Sequence, residues 1–179
     1  NSPHNFQLKP SHAKMLQNAD LVIFVGEGIE EFLEKPLESI AKDAKKFALL
    51  EQSGFKKLKF REKNIFEEHD DHDDHDKKAK KKDDHDDHGH DDHGHGHGEY
   101  DPHIWLDPIN AKAMIKKITK LLSKMDKENS STYKSNSKKA IKEIDMMVKE
   151  IKSEMNKDLK FVVFHDAYQY FENRFDISV

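Results

Sequence analysis

The chain has 179 residues, 35% of them hydrophobic and 37% charged, with a formal net charge of −4, 13 histidines and no cysteine. The missing cysteine excludes disulfides and thiolate metal sites, and no apolar run reaches the roughly 18 residues that a membrane-spanning helix needs. No basic patch interleaved with aromatic residues occurs, so nucleic acid is not an expected partner.

Charge is unevenly distributed. Between Glu67 and Gly98, 32 residues hold nine histidines, 13 carboxylates, five lysines and a single apolar side chain, Ala79. This tract carries −8 and leaves +4 on the other 147 residues, an ordinary surface charge. The remainder can therefore bury a core. The tract cannot offset its ordering entropy by apolar burial and is expected to be disordered without metal. With neither an initiator methionine nor a signal-peptide hydrophobic region at its start, the chain reads as a fragment.

In chain order, residues 1–9 read as a loop containing Pro3 and His4. Ser11 is the expected N-cap of a short helix ending near Asn18. Leu21–Val25 is a continuous apolar run suited to a strand buried on both faces of a parallel sheet. A helix is predicted from about Ile29 to Lys42, with Phe32, Leu33, Leu37 and Ile40 near one face and Pro36 kinking or interrupting it. Phe47–Leu50 reads as a second short strand. Phe55–Phe66 is weakly patterned, and the histidine tract follows. Ile104–Leu106 is expected to be a strand, ending at Asp107-Pro108, an N-cap and first-turn proline for the next helix. Ile115, Ile118, Leu121, Leu122 and Met125 recur in that helix at helical spacing. A break at Asn129–Ser131 precedes a long amphipathic helix, roughly Tyr133–Met155, striped by Ile141, Ile144, Val148, Ile151 and Met155. Phe161–Phe164 reads as a third buried strand with His165 and Asp166 at its C-terminal end, and Ala167–Phe175 as a further helix. Alternating helices and buried strands predict an α/β layer fold, in which ligands bind beyond the C-terminal ends of the strands.

Two kinds of histidine are present. His69, His72, His75, His85, His88, His90, His93, His95 and His97 lie among carboxylates, and neutral imidazole in that number binds zinc, nickel or copper almost regardless of fold. Such a tract lacks rigid geometry, so it should take several ions weakly and exchange them quickly. His4, His103 and His165 instead stand singly, at edges between loops and structured segments. On a strand, His103 shares a face with Trp105, and spacing alone leaves it either a packed residue or a ligand. His165 has the same two readings, with Asp166 available to hold its second ring nitrogen. His12 reads as a helix-surface residue.

Four motifs occur in a set order. They are Ser2-Pro3-His4-Asn5-Phe6-Gln7-Leu8-Lys9-Pro10-Ser11, then Leu16-Gln17-Asn18-Ala19-Asp20-Leu21-Val22, then Asp101-Pro102-His103-Ile104-Trp105-Leu106-Asp107-Pro108, then Phe161-Val162-Val163-Phe164-His165-Asp166-Ala167-Tyr168. In these motifs, and in the histidine-rich insert, nearly the whole chain resembles the ZnuA-type zinc-uptake binding proteins, the cluster A-I metal solute-binding proteins of ABC transporters. The resemblance implies an α/β protein of two lobes with metal in the cleft. Residues 1–126 would form the N-terminal lobe with a parallel sheet and flanking helices, interrupted by the disordered loop 67–98. Residues 127–157 would be the long connecting helix, and 158–179 the start of a second α/β lobe.

By the same resemblance His4, His103 and His165 are the zinc ligands, and Trp105 packs behind the site. Manganese-type relatives tend to carry a carboxylate where this chain has His165. Where some zinc members have an acidic residue before the first histidine, this chain has Pro3, and the fourth ligand is left open between water and a residue outside the chain. On a strand lacking the rest of its sheet, His165 would be poorly held. The implied function is capture of zinc and delivery to an ABC-type membrane permease, by a monomeric, non-enzymatic protein. It would work in the periplasm, or attached outside the membrane of a single-membrane bacterium. The alternatives are a metal-storage or adhesin-type zinc protein, and a zinc hydrolase. Against the hydrolase, no His-Glu-x-x-His arrangement is present.

Overall fold

The computed structural model describes residues 6–61, 99–158 and 161–177. His4 and all nine tract histidines, from His69 to His97, lie outside the described residues, as does the expectation of disorder for 67–98.

The class is α/β. Helix α1 (Pro10–Gln17) leads into strand β1 (Leu21–Phe24), and helix α2 (Glu27–Glu30), a 3-10 turn (Glu31–Leu33) and helix α3 (Glu34–Ser39) lead on to strand β2 (Lys45–Ala48). The two strands pair in parallel, with Leu21 opposite Lys45 and Phe24 opposite Ala48. Val22 and Phe24, two apart on one face of β1, pack with Leu16 and Leu33 against Leu37, Ala41 and Ala44. Phe47 turns the other way, towards a core of Leu49, Ile104, Met114 and Tyr170. Helical layers thus cover both faces of the sheet.

Several local expectations are corrected. β1 is half-buried, with Ile23 exposed, because among the described residues it pairs on one side only, with β2. β2 starts two residues before the apolar run. The N-cap of α1 is Lys9, since Pro10 takes the first helical position, where its fixed φ suits the helix and its missing N–H costs nothing. The helix expected at Ile29–Lys42 is divided by the 3-10 turn, and Pro36 sits in the first turn of α3, where proline is tolerated. Gly26 allows a close approach: a Cβ there would lie 2.9 Å from Leu50 Cδ1. The Glu30 carboxylate accepts from the Val25 and Gly26 N–H groups at 3.1 Å, tying the end of β1 to α2.

Ile104–Leu106 is a 3-10 turn and not a strand. Between Pro102 and the Asp107-Pro108 cap, the chain closes short turns, with Leu106 N–H on His103 O at 3.1 Å and Asp107 N–H on Ile104 O at 3.4 Å. Helix α4 (Pro108–Met125) begins as the sequence predicts, Asp107 accepting from Ile109 N–H at 2.8 Å. Asn110, buried on α4, accepts from Lys56 N–H and donates to the carbonyls of Lys56 and Ile104.

Helix α5 (Ser130–Glu154) starts three residues earlier than its apolar stripe suggests and packs along α4. Asp126 accepts from Asn129 N–H at 3.2 Å, from Asn129 Nδ2 at 2.7 Å and from Tyr133 Oη at 2.7 Å. These bonds hold the Asp126 carboxyl below its usual range and raise the Tyr133 phenol.

Phe161–Phe164 forms no strand, with Phe164 already in a bend, and Val162 and Phe164 are 92% and 105% exposed. An apolar run becomes a strand only by pairing its backbone, and among the described residues nothing pairs with this one. Helix α6 (Gln169–Phe175) follows and returns to the main core through Tyr170. Among the described residues, no helix is long and apolar enough to cross a membrane.

Candidate metal centre

His103 immediately precedes the 3-10 turn, at φ −74° and ψ 35°. The buried Ile104 anchors that turn, while Trp105 is partly exposed with its ring 5.4 Å from the imidazole. Asp101 faces back on the histidine: its Oδ1 accepts from His103 N–H at 2.9 Å and lies 2.7 Å from His103 Nδ1. Both residues are buried. A carboxylate only accepts, so the imidazole proton belongs on Nδ1, and Nε2 presents a lone pair on the opposite side of the ring.

That lone pair meets a second imidazole. His165 Nε2 lies 3.2 Å from His103 Nε2, the rings meeting edge-on at 71° with centroids 5.2 Å apart. The two residues are 62 positions apart in sequence. His165 sits in a bend outside any strand, with Ala167 N–H on its carbonyl at 2.9 Å.

His165 is itself exposed, but α6, which follows it, is fastened to the segment that carries His103. Tyr170 Oη accepts from Leu58 N–H at 2.9 Å and donates to Asp101 O at 2.7 Å. Arg174 grips Asp107 with two bonds, Nε to Oδ1 at 2.7 Å and Nη2 to Oδ2 at 2.5 Å. Further links join Arg61 to Glu172 at 2.6 Å, Gln169 to Lys59 O at 3.1 Å, and Lys56 to Asn173. Burial pushes the Tyr170 phenol up to about 12, and the bonds to Asp107 raise Arg174 above its ordinary value.

Asp166, the expected partner of His165, lies 3.6 Å from Arg61 Nε. Sequence reasoning assigned no role to Asp101, Tyr170 or Arg174. The Asp-x-His spacing of residues 101 and 103 was a usable signal. So was the four-residue separation of Tyr170 and Arg174, which puts both on one helix face. His12 lies away from this centre. It stacks on Phe6 at 5.3 Å and accepts from Lys9 N–H at 3.2 Å, in keeping with a helix-surface residue.

Two imidazole nitrogens from distant segments thus converge, and imidazole is a good ligand for zinc, copper, nickel and iron. Among the described residues, no group of three histidines or carboxylates is arranged to hold a metal.

Comparison with known proteins gives a consistent result. The chain is 44% identical over 187 residues to the high-affinity zinc uptake system protein ZnuA of Brucella abortus (strain 2308), covering 99% of this chain and 56% of that protein. It is 40% identical over 178 residues to the protein of the same name from Paracoccus denitrificans (strain Pd 1222), covering 98% and 55%. The chain therefore spans about half the length of the curated relatives it matches. Its fold is similar to the crystal structure of a ZnuA deletion mutant with zinc bound, at a TM-score of 0.69 and 22% identity, covering 99% of this chain and 55% of that one. The family model described as zinc-uptake complex component A, periplasmic, matches residues 1–179, and the chain belongs to this ZnuA family.

Proposed function

We propose that this chain is the zinc-capturing part of a periplasmic solute-binding protein that delivers the ion to an ABC-type permease, without catalysing a reaction. His103 and His165 are two of the zinc ligands, and His4 is the third. The lobes divide as the resemblance implies, with 1–126 before the long connecting helix and 158–179 opening the second lobe, and the protein works as a monomer. The histidines of 67–98 form a separate class of weak, fast-exchanging sites that collect zinc near the cleft.

One observation carries this reading. A tetrahedral zinc with Zn–N bonds of about 2.0–2.1 Å sets its ligand nitrogens about 3.3 Å apart. The His103 and His165 Nε2 atoms are 3.2 Å apart. The bond from His103 Nδ1 to a carboxylate is the usual support of a zinc-bound imidazole, fixing both tautomer and ring orientation. Imidazole ligands also suit zinc better than manganese.

Zinc titration against a chromophoric chelator tests the proposal, using a chain in which 67–98 is replaced by a short linker. The antiparallel bridge between Lys59 and Tyr100 brings the two flanks of that segment together, so a short linker can join them. One tight site is expected, lost in His103→Ala and in His165→Ala and kept in His12→Ala. Equal behaviour of the three variants would overturn the assignment.

A further inference from the structure

We propose that Tyr170 and Arg174 are positioning residues for the His103–His165 pair, and that through them α6 holds both Nε2 atoms at zinc spacing before any metal arrives. This rests on the zinc-site reading above and deepens it. The two side chains take hold of the histidine segment at its two ends. Tyr170 binds the carbonyl of Asp101, two residues before His103, and Arg174 binds the carboxylate of Asp107, four residues after it.

One turn of helix separates Tyr170 from Arg174, about 6 Å along the axis. A helix held at two such points resists sliding and tilting against its partner. His165 lies only four residues before the first residue of α6. Its imidazole therefore inherits the placement of the helix. Burial makes the anchors costly to release. Tyr170 and Asp107 are almost fully inaccessible, and parting them would leave the Leu58 N–H, the Asp101 carbonyl and the Asp107 carboxylate without these partners. The carbonyl that Tyr170 binds belongs to the residue whose side chain orients His103, so one hydroxyl steadies both halves of the pair. Preorganisation of this kind raises affinity by removing the ordering cost from the binding step.

Tyr170→Phe removes the hydroxyl and keeps the ring in the core, and Arg174→Gln is the second variant, with Arg174→Lys as its conservative partner. In the linker-replaced chain, Tyr170→Phe and Arg174→Gln are each expected to lower zinc affinity at least about tenfold while melting stays cooperative. Cobalt should report the same loss as a weaker, broader d–d absorption, and Arg174→Lys should recover part of it. Without metal, amide hydrogen exchange at Asp101, His103 and Ala167 should quicken in both variants. Unchanged exchange, unchanged zinc affinity and an unchanged cobalt spectrum in the two variants would overturn the proposal. Faster exchange with unchanged zinc affinity would instead show that the clamp exists without governing zinc binding, which also overturns it. Persistence of the tight site in His103→Ala would locate that failure in the zinc assignment.

Discussion

The segment 101–107 with α6 and the helix pair α4–α5 are held together by opposite means. In the first, buried polar groups carry the contact: Asp101, His103, Asp107 and Tyr170 are each at most 6% exposed and each has a hydrogen-bond partner. In the second, α5 has 25 residues and none of them is buried. Its half-buried stripe lies along α4, with one ion pair between the helices, Lys112 to Asp145 at 2.6 Å, and another along its own surface, Lys139 to Glu143 at 3.9 Å. Paired polar groups in a dry setting fix position, because every departure leaves a donor or acceptor unsatisfied. An apolar stripe sets how two helices cross but tolerates small shifts along it. The His103 imidazole lies in the first kind of region.

Substitutions can break this contrast in graded steps. The largest effect is expected for Tyr170→Ala, which empties an aromatic core position and removes a bridging hydroxyl, at a cost of about 4 kcal/mol. Urea unfolding followed by circular dichroism would measure it, and a loss below about 1 kcal/mol would mean that α6 is peripheral to the fold. Asp107→Ala removes the cap of α4 and the partner of Arg174 together. About 2–3 kcal/mol should be lost, of which roughly 1 is the cap.

An alkaline titration sharpens the comparison without removing core volume. The Tyr170 phenol is raised to about 12 by burial, whereas an unfolded tyrosine titrates near 10. Above about pH 10 the unfolded chain releases this proton and the folded chain retains it, so stability falls as pH rises from about 10 to 12. Below pH 10 the contribution is fully present. Urea midpoints at pH 8, 10 and 11.5 should show a steeper decline in the wild type than in Tyr170→Phe. Parallel declines would mean that the buried hydroxyl does not govern the effect.

The smallest effects belong to α5. Ile144→Ala, in the half-buried stripe, should cost about 1 kcal/mol, and Lys139→Ala less than about 0.5 kcal/mol. Neither should alter zinc affinity, and a tenfold change from either would show that α5 participates in setting the site.

Read from the sequence alone, the chain yields its class, most of its helices and two of the histidines that the fold brings together. Helical spacing located α4 and α5, and the Asp107-Pro108 pair marked the start of α4 because capping is a local interaction. Four ordered motifs singled out His103 and His165 through family likeness. What it could not yield were the two segments that flank the site. Ile104–Leu106 and Phe161–Phe164 are short apolar runs, which periodicity cannot divide between strand and turn. The first is closed into a 3-10 turn by its neighbours, and the second has no ladder partner among the described residues.

Only the tertiary structure could bring His103 and His165 to 3.2 Å, or set the Asp101 carboxylate against the His103 imidazole. Tyr170 and Arg174 looked like parts of an aromatic helix until the fold set them against the two ends of the histidine segment. Local chemistry decides caps, turns and helical faces because the interacting groups are a few residues apart. Contacts across 62 residues depend on how whole elements pack, and no short-range rule contains that.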